Sequence, residues 1–142
     1  MDDTGRAALL GLGVGFAHTV VRLFAVDAGT SVPPDGVVSI AVQSLVATGL
    51  LLAVVPGAAL YGAAQFGAPV EDAVRLAAAV AVGTGVAVVA SYPVLSPASQ
   101  GVAVSDAFRL RLFVAFAVNA VGPAVHSGVG ALAGFLLAAV DR

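Results

Sequence analysis

The polar side chains that could carry chemistry in this chain are few, and they lie inside long apolar runs. His18 and Arg22 stand one helical turn apart in the first run, and Asn119 and His126 lie in the last. Two histidines on separate helices could ligate one haem b iron, with Arg22 facing a propionate. Arginine and amide side chains could instead anchor an anion or another ligand. The third interpretation is hydrogen bonding between helices, the common role of polar groups in apolar surroundings.

Catalytic and metal-binding motifs are missing from the sequence. The chain has no cysteine, which excludes disulfides, thiolate metal sites and cysteine nucleophiles. The runs GLGVG (11–15) and GVGALAG (128–134) do not follow a strand in a βαβ unit, as a dinucleotide-binding loop does. No acidic residue lies deep in an apolar run, so proton-coupled transport lacks its usual carboxylate relay. We therefore expect a protein that is not an enzyme and that binds neither a metal nor nucleic acid.

The composition indicates a lipid environment. The mean hydropathy is +1.06, 60% of residues are hydrophobic and 10% are charged, whereas soluble domains carry about 25% charged residues. So few charges cannot cover the surface of a soluble domain of 142 residues. The expected solvent of this chain is therefore the bilayer.

Four apolar runs are each long enough to cross a hydrocarbon core, which takes roughly 20 helical residues. Short polar or proline-bearing links separate them, which predicts that sequential helices are antiparallel neighbours. The expected fold is an all-α polytopic membrane protein, with one domain (1–142) of four transmembrane helices in an antiparallel up-down bundle. The predicted spans are 7–26, 37–61, 73–94 and 112–140.

Local signals mark the helix starts and kinks. Carboxylates favour the first turn of a helix, so Glu71 and Asp72 predict the start of the third helix. Ser105, followed by an aspartate, predicts a start ahead of the fourth span. A proline inside a helix removes one backbone hydrogen bond, so Pro56 and Pro123 predict kinks in the second and fourth helices.

Small residues at four-residue spacing predict close helix packing, because they let backbones approach one another in lipid. One face of the first helix combines two glycines with a histidine and an arginine, and one face of the last combines three glycines with an asparagine and a histidine. We expect leucine to be tolerated better at Ala131 and Ala138, which lie nearer other faces of the last helix. The two faces comprise Gly11, Gly15, His18 and Arg22, and Asn119, Gly122, His126, Gly130 and Gly134.

Depth along the helices predicts a polar pocket in one leaflet. With each span centred in the bilayer, both histidines fall within about 2 Å of the midplane. Four other polar side chains, one from each helix, fall roughly 8–11 Å from it on the same side. These predicted ligand-pocket residues are Arg22, Gln43, Ser91 and Asn119.

The arginine distribution predicts the orientation. Three arginines lie on the side that holds both termini and two on the other side, which favours cytoplasmic termini in the cell membrane. The first set is Arg6, Arg75 and Arg142, and the second is Arg109 and Arg111.

The whole chain resembles small, uncharacterised multi-span integral membrane proteins of halophilic archaea. The likeness rests on the lack of lysine, the alanine- and valine-rich spans, the segment PGAALYG (56–62) and the glycine-striped last helix. It implies a membrane protein and no particular activity. The expected function is that of an accessory or packing subunit, or of a bundle that binds a small ligand, with other membrane subunits or a second copy as partners. The alternatives are a protomer of an oligomeric transporter or channel and a haem b membrane anchor.

Overall fold

A computed structural model describes residues 2–30, 37–66, 69–95, 101, 103 and 105–140. These residues are almost entirely helical and contain no strand, which confirms the all-α prediction for the described part of the chain. A one-turn 3₁₀ helix, Val70–Asp72, precedes the third helix. The α-helices are α1 (Asp3–Thr30), α2 (Val37–Phe66), α3 (Ala73–Ala90), the short α4 (Tyr92–Leu95), α5 (Asp106–Asn119) and α6 (Val121–Val140).

Both predicted helix starts are confirmed. Asp72 is the N-cap of α3, and its carboxylate lies 3.1 Å from the Arg75 guanidinium one turn later. Ser105 is the N-cap of α5, where its hydroxyl accepts a hydrogen bond from the Phe108 amide at 3.4 Å. The Ser105 hydroxyl thus satisfies an amide group that has no partner within the helix, whereas the Asp72 side chain makes no capping hydrogen bond.

The predicted fourth span is two helices, because the helix is interrupted at Ala120. Pro123 has no amide hydrogen, and its ring crowds the carbonyl of Asn119 four residues earlier, so the regular helix cannot continue through this turn. Pro56, by contrast, lies inside the continuous helix α2.

In the described part of the chain, three helical segments are long and apolar enough to cross a membrane by length and composition. The segment that combines α5 and α6 has 35 residues, or about 52 Å of helix, which exceeds the roughly 30 Å of a hydrocarbon core. The second helix contributes a shorter apolar stretch, Leu51–Phe66. The three segments are Asp3–Leu23, Val70–Val94 and Asp106–Val140.

Helices α1 and α3 form a close parallel pair. Gly11 lies against the Val80 carbonyl, and Gly15, one turn later, lies against Thr84 and Ala87. The contacts advance in the same direction along both helices, so the two run parallel. Without a Cβ at either glycine, the backbones approach closely.

Helices α2 and α6 form the second close parallel pair. The backbone of Pro56 lies against Gly130, and that of Leu60 lies against Gly134. Both contacts join residues 74 positions apart (130 − 56 and 134 − 60), so this pair also keeps one register along its length.

Helix α6 packs antiparallel to α3, since Gly128 faces Ala81 whereas Ala124 faces Gly85. Helices α2 and α3 are consecutive in the chain, yet in the described residues they make little contact. The prediction that sequential helices are neighbours is therefore wrong for this pair. Six residues separate them, which span up to about 20 Å, more than the diagonal of a bundle whose neighbouring axes lie about 8–10 Å apart. Glycine contacts, rather than the length of the link, decide the neighbours.

Among the described residues, the hydrophobic core cluster lies in one half of the bundle. Its buried residues come from the first halves of α1 and α3 and from the second halves of α2 and α6; we call this the closed half. It comprises Ala7, Val14, Val55, Ala59, Ala63, Ala73, Leu76, Ala77, Val80, Ala131 and Phe135. Ala131 is fully buried there, so the expected tolerance of leucine at this position is wrong.

The other half, which we call the open half, is loosely packed on the side of α2 and α6. None of the described α2 side chains from Leu45 to Val54 is buried, and between Val121 and Val129 of α6 only Ser127 is buried. The α1–α3 pair stays in contact here. In the described residues, the open half therefore has one close helix pair, and the α2 and α6 side chains there are mostly uncovered.

Candidate functional site

A polar seam runs along the α1–α3 pair. The buried Thr84 hydroxyl of α3 bonds to the Gly11 carbonyl of α1 at 3.1 Å and lies 3.0 Å from the Val80 carbonyl of its own helix. Thr19 of α1 bonds only within its helix, to the Gly15 carbonyl at 3.0 Å. Thr84 thus supplies a hydrogen bond between the two helices at a point where glycine has already brought the backbones together.

His18 continues this seam into the open half. Its side chain is 6% exposed, and its Nδ1 atom has no hydrogen-bond partner among the described residues. Arg22, one turn later, is exposed and forms no ion pair in the described part of the chain, unlike the arginines that pair with an aspartate three residues earlier. A buried ring nitrogen without a hydrogen-bond partner costs free energy. A ligand or a water molecule that bonds to Nδ1 of His18 would remove this cost.

The two histidines are not brought together. His18 is buried beside α3, whereas His126 is exposed on α6, and α1 and α6 touch only marginally. Haem ligation by both would require two ring nitrogens to face one iron. This arrangement does not place them so.

The predicted ligand-pocket residues differ in burial and do not bond to one another. Arg22 and Asn119 are exposed, while the half-buried Ser91 bonds to the carbonyl of Val88 in its own turn at 2.5 Å. No hydrogen bond or ion pair joins these three side chains to one another in the described structure. The side chain of Gln43 lies outside the described residues.

The predicted packing glycines divide into two groups. A Cβ atom added at four of them would lie between 2.1 and 2.6 Å from the nearest neighbouring atom, so these glycines permit the close contacts: Gly11, Gly15, Gly130 and Gly134. At Gly122 an added Cβ would meet nothing within 4 Å. A four-residue stripe rotates by about 40° per step on a helix of 3.6 residues per turn, which turns Gly122 about 120° away from Gly134.

Gly83, a glycine that packs against the backbone of α1, was not among the predicted packing residues. An added Cβ at Gly83 would lie 2.3 Å from the Ala8 carbonyl oxygen, as close as at the predicted positions. The signal was present in the sequence, since Ala79, Gly83 and Ala87 form a small-residue row at four-residue spacing on α3.

A groove of about 610 Å³ runs between α3 and the α5–α6 junction. All ten of its lining residues are alanine, valine or glycine, from Ala81 to Ala90 on α3 and from Ala117 to Ala124 on α5 and α6. The groove belongs to the open half, where the sequence predicts a polar pocket. Its walls offer apolar contact and no side-chain hydrogen bond.

The described side chains thus favour binding between apolar surfaces over acid–base chemistry. No group of three histidine, cysteine or acidic side chains that could hold a metal ion occurs among them. The comparisons with known proteins add no family: no family model, curated protein or solved structure matches this chain.

Proposed function

We propose that this chain is a non-enzymatic integral membrane protein that acts as an accessory subunit, with a helix of a partner subunit completing its open half. In this proposal four helical segments cross the cell membrane as an antiparallel up-down bundle, and both termini are cytoplasmic. The outward side chains support insertion. Phe16 is 69% exposed, Leu45 is 74% exposed and Val82 is 65% exposed. Exposure of large apolar side chains costs free energy in water but not in lipid.

The observation that carries the proposed role is the exposure of His126 in the open half. It lies 14 residues before Val140, the end of α6, or about 21 Å along the helix. That depth is within a hydrocarbon core of about 30 Å that begins near Val140. Polar side chains at such depth ordinarily face protein or a water-filled cavity, because lipid supplies no hydrogen bond. The isolated chain leaves this histidine uncovered.

The surface beside His126 suits a helix. Gly49 of α2 and Gly122 of α6 both have open space where a Cβ would stand. The 74-residue register of the α2–α6 pair places Gly122 level with position 48 (122 − 74), next to Gly49. Two glycines at one level allow a third backbone to approach closely, and a polar side chain on it would meet His126.

Single-cysteine crosslinking tests this role, since the natural chain has no cysteine. Gly122→Cys should crosslink to a partner protein in native membranes. Gly57→Cys, at another glycine with open surroundings but in the closed half of α2, should not. Absence of any crosslink at Gly122, together with a monomer in lipid nanodiscs, would refute the accessory role.

An oligomeric transporter or channel is the second candidate, and the same exposed histidine favours it. If Gly122→Cys links identical copies, the His126-bearing faces would surround a shared axis and give a polar path that one thin bundle lacks. Solute flux into liposomes tests that function, and flux should fall when His126 is replaced by leucine. Identical flux in both proteins would remove this candidate.

A further inference from the structure

We propose that the groove between α3 and the α5–α6 junction binds one membrane phospholipid, with an acyl chain along its apolar walls and the phosphate at Arg109. This site lies apart from the surface around His126. It rests on the membrane insertion in the proposed function but not on the accessory role.

The length and the lining of the groove suit a hydrocarbon chain. From Ala81 to Ala90 the α3 wall is about 13 Å long, and all of its lining residues are apolar. Because alanine has a small side chain and glycine has none, the walls leave a channel that an unbranched hydrocarbon chain can fill.

The groove lies across the interruption of the last span. Its α5–α6 wall runs from Ala117 across the break at Ala120 to Val121 and Ala124. Pro123, which has no amide hydrogen to donate, stands between the last two of these residues. The groove therefore coincides with the turn where the helix is interrupted.

An aromatic cluster follows the groove along the chain, next to Ala90 and Ala117, and contacts the backbone of Arg109. The Tyr92 ring lies edge-on to Phe113 at 5.3 Å and to Phe116 at 5.5 Å between centroids. The Tyr92 hydroxyl donates a hydrogen bond to the Arg109 carbonyl at 3.2 Å. Tyrosine is enriched where hydrocarbon meets headgroups, so this cluster marks the expected level of the interface.

The charge at this level is complementary to a phosphodiester. Arg109 lies eight residues before Ala117, about 12 Å beyond the groove. Its side chain is 54% exposed, and its nearest carboxylate, on the fully exposed Asp106, is 3.9 Å away, so the guanidinium remains available. Guanidinium groups bind phosphate oxygens in a bidentate manner. An acyl groove with such a group beyond its end fits an anionic phospholipid.

Lipid retention tests the site. The full chain is reconstituted in nanodiscs of equal phosphatidylglycerol and phosphatidylcholine, released into mild detergent and analysed by native mass spectrometry. We expect one retained phosphatidylglycerol per chain. Val121→Trp, which fills the groove, should lower retention about tenfold or more. Val129→Trp is the matched control on the same helix, since Val121 is 58% and Val129 is 63% exposed and Val129 does not line the groove.

A second pair of variants tests whether Arg109 binds the lipid headgroup. Arg109→Gln should abolish the preference for phosphatidylglycerol, whereas Arg111→Gln, about 200° around the helix, should keep it. Arg109 is exposed, so its replacement reports on binding even if Val121→Trp fails to fold. Equal retention of both lipids by the natural chain, or equal effects of either pair of variants, would overturn the proposal. Retention of phosphatidylglycerol by a chain whose Gly122→Cys variant forms no crosslink in native membranes would refute the accessory role while supporting this site.

Discussion

Adding one methyl group at Gly130 tests the close packing of α2 and α6. In Gly130→Ala the new Cβ would stand 2.3 Å from the Pro56 carbonyl oxygen, whereas carbon–oxygen contacts between helices normally lie at about 3.3–3.6 Å. The backbones must separate by about 1 Å to restore that distance. Overpacking of this kind costs about 1–3 kcal/mol, and the better helix propensity of alanine returns at most about 1 kcal/mol. We expect a net loss of stability of about 0–2 kcal/mol.

A matched variant on the same helix separates the two contributions. Gly122→Ala has the same change in helix propensity but meets nothing within 4 Å, so it should be more stable than Gly130→Ala by about 1–3 kcal/mol. The assay heats the purified protein in detergent and measures the fraction that remains monodisperse in gel filtration. Equal midpoints for the two variants would refute the backbone contact at Gly130.

Three further predictions concern single contacts. Thr84→Val removes the hydrogen bond to Gly11 and should lower the free energy of unfolding by about 0.6–1.7 kcal/mol; Thr19→Val, which loses only a bond within its own helix, should lower it less, and the reverse order would contradict the interhelical role. Pro123→Ala restores a backbone donor, so amide hydrogen exchange at the α5–α6 break should slow. Unchanged exchange would show that the proline does not cause the break. His18→Leu removes an unpartnered buried nitrogen and should leave stability unchanged or higher; a native-membrane preparation with a Soret band that this substitution abolishes would instead establish haem ligation.

The sequence predicted the helices better than their neighbours. Apolar runs, the Ser105 cap and Pro123 are local signals, and each marks a structural boundary near its own position. The pairing of α1 with α3 depends on which of several small-residue faces meet. Glycine and alanine rows occur on every long helix, so spacing alone does not choose between them.

The candidate site shows the same limit. The prediction placed Asn119, Gly122 and Gly134 on one face, as if four residues made one full helical turn. Because a turn has 3.6 residues, the direction shifts at each step, and the two ends of the stripe face different ways. The depth argument placed Arg22 and Ser91 at one level but could not give the direction of their side chains around the helix axis. In the structure Ser91 bonds within its own helix and Arg22 is exposed. The buried, unpartnered nitrogen of His18 depends on burial by α3, which no sequence pattern specifies.

The pairing of α1 with α3 and of α2 with α6 has a consequence for biogenesis. Each close contact joins helices that are separated in the chain by at least one other helix, so a nascent chain that has delivered only α1 and α2 holds neither glycine interface. The first close pair forms when α3 enters the bilayer, and the second forms only after α6 follows. During synthesis α2 must therefore remain in the membrane, or at the insertion machinery, without its close-packed neighbour until the last helix arrives. Chains truncated after α3 should thus present the unmatched α2 surface to quality-control proteases.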